Sequence, residues 1–126
     1  MAEQVSQFKS LNLVTSFGYA WNGLKVAFLK EKNLRWQATA FVAVLVFGWV
    51  MGLSAIELCL IVLVSAAVLA MEFINTAIEH LSDVVHPEFH QSIGFAKDIA
   101  AAGVLVMSIC ALLIGAFLFV PKLVGL

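Results

Sequence analysis

The sequence predicts an all-α membrane protein, with three transmembrane helices per chain preceded by an amphipathic helix on the membrane surface. Three observations carry that expectation. Of the 126 residues, 63% are hydrophobic and only 12% are charged, about half the charge of a soluble domain. The runs Trp36 to Leu53 and Ile99 to Val120 are each near the ~20 residues that a helix needs to cross about 30 Å of hydrocarbon. Between Ser16 and Lys32, the bulky residues Phe17, Trp21, Leu24 and Phe28 recur at helical spacing while Asn22 and Lys25 lie off that stripe.

In chain order, the first element is the surface helix, at about 8–34. Its aromatics and basic residues suit the membrane interface better than water. The first span, about 35–53, has Trp36 and Trp49 near its two ends, as in an aromatic belt. The second, about 55–84, opens on Ser54-Ala-Ile-Glu57, which has the form of a capping box. Its apolar part, Leu58 to Met71, is too short to cross alone. Extension through Ala77 and Ile78 completes the crossing and brings Glu72, Asn75 and Glu79 into the span. The third span, about 96–120, ends at Pro121. One domain over 1–126 accounts for the chain, with its termini on opposite sides. Ser65-Ala66-Ala67 with Ala70, and Ala100-Ala101-Ala102-Gly103, permit close approach between helices. Three spans are too few to enclose a site on all sides, which points to several subunits. Cys59 and Cys110 fall within spans and read as small packing residues.

Lys9, Lys25, Lys30, Lys32 and Arg35 precede the first span, the first hairpin has no cation, and the second connection has Lys97. The N-terminus and the second loop are therefore expected in the cytoplasm, with Lys122 as the lone dissenting cation. The opening Met-Ala-Glu-Gln has neither the basic start nor the apolar core of a secretory signal.

Carboxylates inside a span carry the functional expectation. Ionisable groups at bilayer depth are costly, so they mark a site that faces protein or a water-filled cleft. Taking Glu72 as zero, Asn75 lies at about −60°, Glu79 at about −20° and Asp83 at about +20° around a helix of 100° per residue. All four share one face. Glu72 and Glu79 stand roughly 10 Å apart along the axis, too far to share one small cation. The deep carboxylate is placed to take a proton from a lipid hydroxyl, and the shallower ones to hold a hard cation such as Mg²⁺. Glu31, among Lys30, Lys32, Asn33 and Arg35, and the pair Lys97-Asp98 reach the same membrane surface. Carboxylates beside cations there suit a magnesium nucleotide. Asp98 also fits a helix N-terminus through the dipole.

There is no Gly-x-x-x-x-Gly-Lys-Ser/Thr loop and no protein-kinase signature set. His86-Pro-Glu-Phe-His90 reads as a surface turn, and His80, His86 and His90 as ordinary histidines. The rival class is a small ion- or proton-conducting membrane protein with the carboxylate face lining a pathway. The crowding of polar groups into one half of the bilayer argues against it. A noncatalytic scaffold leaves Lys97-Asp98 without a purpose.

Glu72-Phe-Ile-Asn75-Thr-Ala-Ile-Glu79-x-x-x-Asp83, followed by Ala96-Lys97-Asp98-Ile-Ala-Ala-Ala, resembles the signature of the small bacterial integral-membrane lipid kinases, which include diacylglycerol kinase and undecaprenol kinase. Ser16-Phe-Gly-Tyr19-Ala-Trp-Asn-Gly23-Leu and Glu31-x-Asn33-x-Arg35 are similar to its N-terminal features. The resemblance implies a homotrimer in the bacterial cytoplasmic (inner) membrane, with active sites shared between subunits at the cytoplasmic boundary. ATP and Mg²⁺ would serve to phosphorylate a lipid alcohol. Glu72 would be the general base in contact with substrate, and Glu31 and Glu79 the metal ligands. Lys97, Asp98, Asn75, Asp83 and Tyr19 would serve the nucleotide and its phosphates, while Arg35 and Ser16 would contact lipid substrate. Implied partners are ATP, the lipid alcohol, the bilayer and other copies of the chain, with no nucleic acid. Where family members often have a basic residue, Leu11-Asn12-Leu13-Val14 stands here. Phe-Ile-Asn-Thr, His-Pro and Lys-Asp-Ile-Ala-Ala are closer to the undecaprenol-kinase branch than to the enterobacterial diacylglycerol kinase.

Overall fold

The structure, a computed structural model, describes residues 12–126. The expected helix start near residue 8, and Lys9, lie outside the described residues. Four helices make up the rest: α1 (Leu13–Lys30), α2 (Lys32–Val50), α3 (Ala55–Val85) and α4 (Gln91–Leu123). They fall into two units, Met1–Lys32 and Asn33–Leu126.

In the first unit, Asn12 starts α1. Its extended backbone points the side-chain oxygen at the free N–H of Thr15, 2.9 Å away, satisfying one of the donors that a helix start leaves without a partner. Phe17, Trp21 and Leu24 remain exposed along the apolar stripe, and no residue of α1 is buried. The single helix expected over about 8–34 is interrupted. Glu31 leaves the helical region, at φ −98° and ψ 110°, and its N–H closes the last turn on the Ala27 carbonyl at 2.8 Å. Lys32 then begins α2.

In the second unit, α2 stops three residues short of the expected 53. Gly52, at φ 73°, takes the left-handed conformation that glycine adopts without strain. The N–H of Leu53 reaches the Gly48 carbonyl at 3.0 Å, and that of Gly52 reaches Trp49 at 3.1 Å. That is a Schellman C-cap. Gly48 also lets α2 approach α3, because a Cβ there would stand 2.8 Å from Leu53 Cδ1 and 3.3 Å from Ile61 Cδ1. The capping box forms in full. Ser54 N–H donates to Glu57 Oε2 at 2.7 Å, and Glu57 N–H donates to Ser54 Oγ at 3.3 Å.

The helices α3 and α4 run antiparallel, joined by an irregular loop over residues 86–90 that contains Pro87. Near mid-length, Met71 Cε occupies the space that a side chain on Gly103 would need. Pro121 does not end the last helix, as expected, but sits inside it; α4 continues to Leu123. Proline removes only one N–H, and so near a C-terminus it interrupts little. The Val124 N–H still reaches the Val120 carbonyl at 3.1 Å. Lys122 Nζ donates to the Gly52 carbonyl at 3.0 Å, tying the end of α4 to the α2–α3 turn. The dissenting cation has a backbone partner.

The buried apolar core is small: Leu34, Leu53, Ile61, Val64 and Ala100. Large apolar side chains instead cover the outside of α3 and α4, among them Leu63, Leu105, Leu112 and Phe117. An exterior of that kind calls for lipid or other copies of the chain. Among the described residues, α3 and α4 are the two helices long and apolar enough to cross a membrane. The 31 residues of α3 extend about 45 Å, more than the ~30 Å of hydrocarbon that a span has to cross. The 19-residue α2 has Lys32, Asn33, Arg35 and Gln37 in its first two turns.

Candidate active site

The helical period that aligned Glu72, Asn75, Glu79 and Asp83 is realised in one uninterrupted helix, α3. Burial falls along that face. Glu72 is 6% exposed and Asn75 8%; Glu79 is half-buried and Asp83 exposed.

Each polar group on the face has a partner suited to its depth. Gln37, in the second turn of α2, donates from Nε2 to Glu72 Oε2 at 3.2 Å. Asn75 donates from Nδ2 to Glu79 Oε1 at 3.3 Å, one turn along. Two oxygens are left over: Gln37 Oε1 and Asn75 Oδ1 are buried with no hydrogen-bond partner. Where α3 meets the first turns of α4, Lys97 Nζ pairs with Asp83 Oδ1 at 2.9 Å. Asp98 beside it is exposed.

A groove of about 640 Å³ runs between α2, α3 and α4. Phe41, Val44, Val68 and Leu69 are typical of its walls, and Gln37 marks its polar end. Phe47 and Phe119 also line the groove, with ring centroids 5.2 Å apart. Gln37 thus links the groove, which it lines, to the buried Glu72 carboxylate, which it holds by a hydrogen bond.

The structure therefore places Glu72, Asn75, Glu79 and Asp83 along one side of α3, with Lys97 of α4 paired at its exposed end. Arg35 is exposed near the start of α2, in the turn before Gln37. Ser16, Tyr19 and Glu31 belong to the first unit. There, Ser16 Oγ donates to the Asn12 carbonyl at 3.2 Å, Tyr19 is half-exposed, and Glu31 caps α1. Among the described residues, no group of three or more His, Cys, Asp or Glu is arranged to hold a metal. Such a cluster is not what Mg²⁺ needs. It is bound through one or two carboxylates together with water and substrate phosphates, and the half-buried Glu79 carboxylate fits that donor chemistry. His86 and His90 stay in the surface loop, rings 5.1 Å apart.

Gln37 is the site residue that sequence reasoning missed. It sits behind Trp36 at the head of an apolar run, and a single amide there has no period to mark it. An amide among apolar residues, with a carboxylate on the next helix, was the available signal.

Comparison with known proteins gives the family. Residues 18–119 match the family described as prokaryotic diacylglycerol kinase. A diacylglycerol kinase of Synechocystis sp. is 37% identical over 116 residues, covering 91% of this chain and 66% of that protein. This chain thus spans about two thirds of that relative's length. An undecaprenol kinase of Bacillus subtilis is also 37% identical, over 108 residues, covering 86% of this chain and 88% of the relative. A diacylglycerol kinase of Escherichia coli is 31% identical over 101 residues, covering 80% and 83%. With a match that reaches into all four helices, the chain belongs to the prokaryotic diacylglycerol kinase family and is a lipid kinase.

Proposed function

We propose that this lipid kinase transfers the γ-phosphate of ATP, with Mg²⁺, to the hydroxyl of a membrane lipid alcohol, undecaprenol in preference to diacylglycerol. The observation that carries the reading is the buried Glu72, held by Gln37 at the polar end of the apolar groove. A lipid alcohol has the matching form, one hydroxyl on long apolar chains.

In this reading Glu72 takes the hydroxyl proton as the lipid oxygen attacks the γ-phosphorus and the bond to ADP breaks. A positioned general base contributes roughly 10² to 10⁴ in rate. Glu79 would hold Mg²⁺, with Glu31 of the first unit as the second ligand that the resemblance implies, and the ion would neutralise phosphate charge. Lys97 leaves Asp83 to meet phosphate, which is feasible because an exposed ion pair holds weakly. Asp98 organises that corner, Asn75 and Asp83 support it, and Tyr19 borders the nucleotide. Arg35 and Ser16 contact the lipid near the interface. Phosphoryl transfer needs mainly position and charge, so a chain this small is sufficient.

The same reading makes α2 the first of three spans and α1 a surface helix. The N-terminus and the α3–α4 loop face the cytoplasm, at the inner membrane. Three chains then assemble, so that the apolar exteriors of α3 and α4 are covered by lipid and by neighbouring copies. The test is a competition assay in bicelles with ATP, Mg²⁺ and equal amounts of undecaprenol and diacylglycerol, with products identified by mass. Undecaprenyl phosphate in excess supports the stated preference. Phosphatidic acid in excess reverses it, and failure to modify either lipid removes both candidate substrates.

A further inference from the structure

We infer that Gln37 is a positioning residue for the proposed base: its amide N–H fixes Glu72 Oε2 and thereby presents Oε1 to the reacting hydroxyl. The inference rests on the assignment of Glu72 as the base. Three observations support it. The bond from Gln37 Nε2 to Glu72 Oε2, 3.2 Å long, joins residues 35 apart in sequence. Gln37 also lines the groove at its polar end. Its own carbonyl oxygen, Oε1, is buried without a partner.

That stranded oxygen is the informative one. An ionised carboxylate only accepts hydrogen bonds, so the amide must turn its NH₂ toward Glu72 and its carbonyl away. A buried acceptor without a partner is destabilising. Methionine has nearly the same length and would fill the place with no such acceptor, so packing alone does not account for an amide here. What the amide adds is a donor to Glu72. The terminal torsion of a glutamate is broad and roughly two-fold, leaving an unheld carboxylate free to swing. One N–H on Oε2 removes that freedom. Because the donor is neutral, it orients the carboxylate without cancelling its charge, as a lysine or arginine would.

The test is Gln37→Met in the full chain in bicelles, with steady-state kinetics for both substrates. The expected result is a kcat lower by about ten- to a hundredfold, the scale of effect that misplacing a reacting group produces, with KM for lipid and for ATP within about twofold of the native enzyme. An unchanged kcat, or a loss expressed through KM, overturns the inference. A second measurement does not depend on how that variant folds. The chain has four glutamines, and the ¹⁵N side-chain amide resonance of Gln37 should move when Glu72 is replaced by Ala. A resonance that stays in place also overturns the inference. A Glu72→Gln enzyme that retains activity removes the base itself, an outcome distinct from a dead Glu72→Gln beside an unimpaired Gln37→Met.

Discussion

The two ends of the α3 face hold their carboxylates in opposite ways. At the deep end, Glu72 and Asn75 are buried and linked to neutral amide or carboxylate partners, Gln37 and Glu79. At the shallow end, Asp83 is 70% exposed at its side chain and paired with the cation of Lys97. A salt bridge at depth would have to overcome the desolvation of two charges. Amide donors satisfy a carboxylate there while leaving its negative charge in place. Near water that constraint lapses, and a full ion pair forms that can also exchange with another anion. In the function proposed above, the deep end would hold a group still and the shallow end would let one go.

Neutralising the deep carboxylate breaks this comparison most severely. Glu72→Gln should lower kcat by at least about a hundredfold, as expected for loss of a general base, while ATP binding persists. The isosteric amide also removes a buried charge, so the variant should unfold no sooner than the native enzyme. Lipid-phosphate formation, nucleotide-analogue binding and a thermal melt check the three statements. Substantial turnover would show that depth and amide bonding do not mark the base.

One turn beyond Asn75, Glu79→Gln should leave the fold intact and raise the Mg²⁺ concentration for half-maximal activity by roughly tenfold or more, the scale seen when metal-site contacts are removed. A magnesium titration at saturating ATP measures it. An unshifted midpoint would move the metal role off α3 and leave the face with a single function at its deep end.

Between the ends, Gly103 allows α4 to close on Met71, the residue next to Glu72. Gly103→Val must push Met71 aside. Overpacking of this kind costs about 1 to 3 kcal/mol, and displacement of the preceding residue should lower kcat more than it alters ATP affinity. A variant as stable and active as the native chain would show that the deep end tolerates movement.

How much of this was legible in the sequence follows from how local each feature is. The α3 face was readable because the helical period places Glu72, Asn75, Glu79 and Asp83 together without any tertiary information. The Ser54-Glu57 box was readable because its two bonds span three residues. The interruption at Glu31 was not, since Lys30-Glu31-Lys32 contains no glycine or proline and consists of good helix formers. Pro121 misled because its missing N–H was weighed as a terminator when so little helix remained beyond it. Gln37 with Glu72, and Lys97 with Asp83, depend on how separate helices are laid side by side. No pattern along the chain encodes that directly.

The smallest effect is expected at the shallow end, in Asp83→Asn. The variant loses the 2.9 Å ion pair, but exposed pairs contribute little because water and salt already screen them. The unfolding temperature in bicelles should therefore match the native value. What should change is the response to ionic strength. In the native enzyme, raising salt weakens the hold of Asp83 on Lys97, as well as the attraction of Lys97 for phosphate, and the two effects partly cancel in the apparent ATP affinity. In the variant only the second remains, so ATP affinity should fall more steeply with added salt. Parallel salt dependences in the two proteins would mean that Lys97 stays with Asp83 throughout turnover. The shallow end would then be as fixed as the deep one.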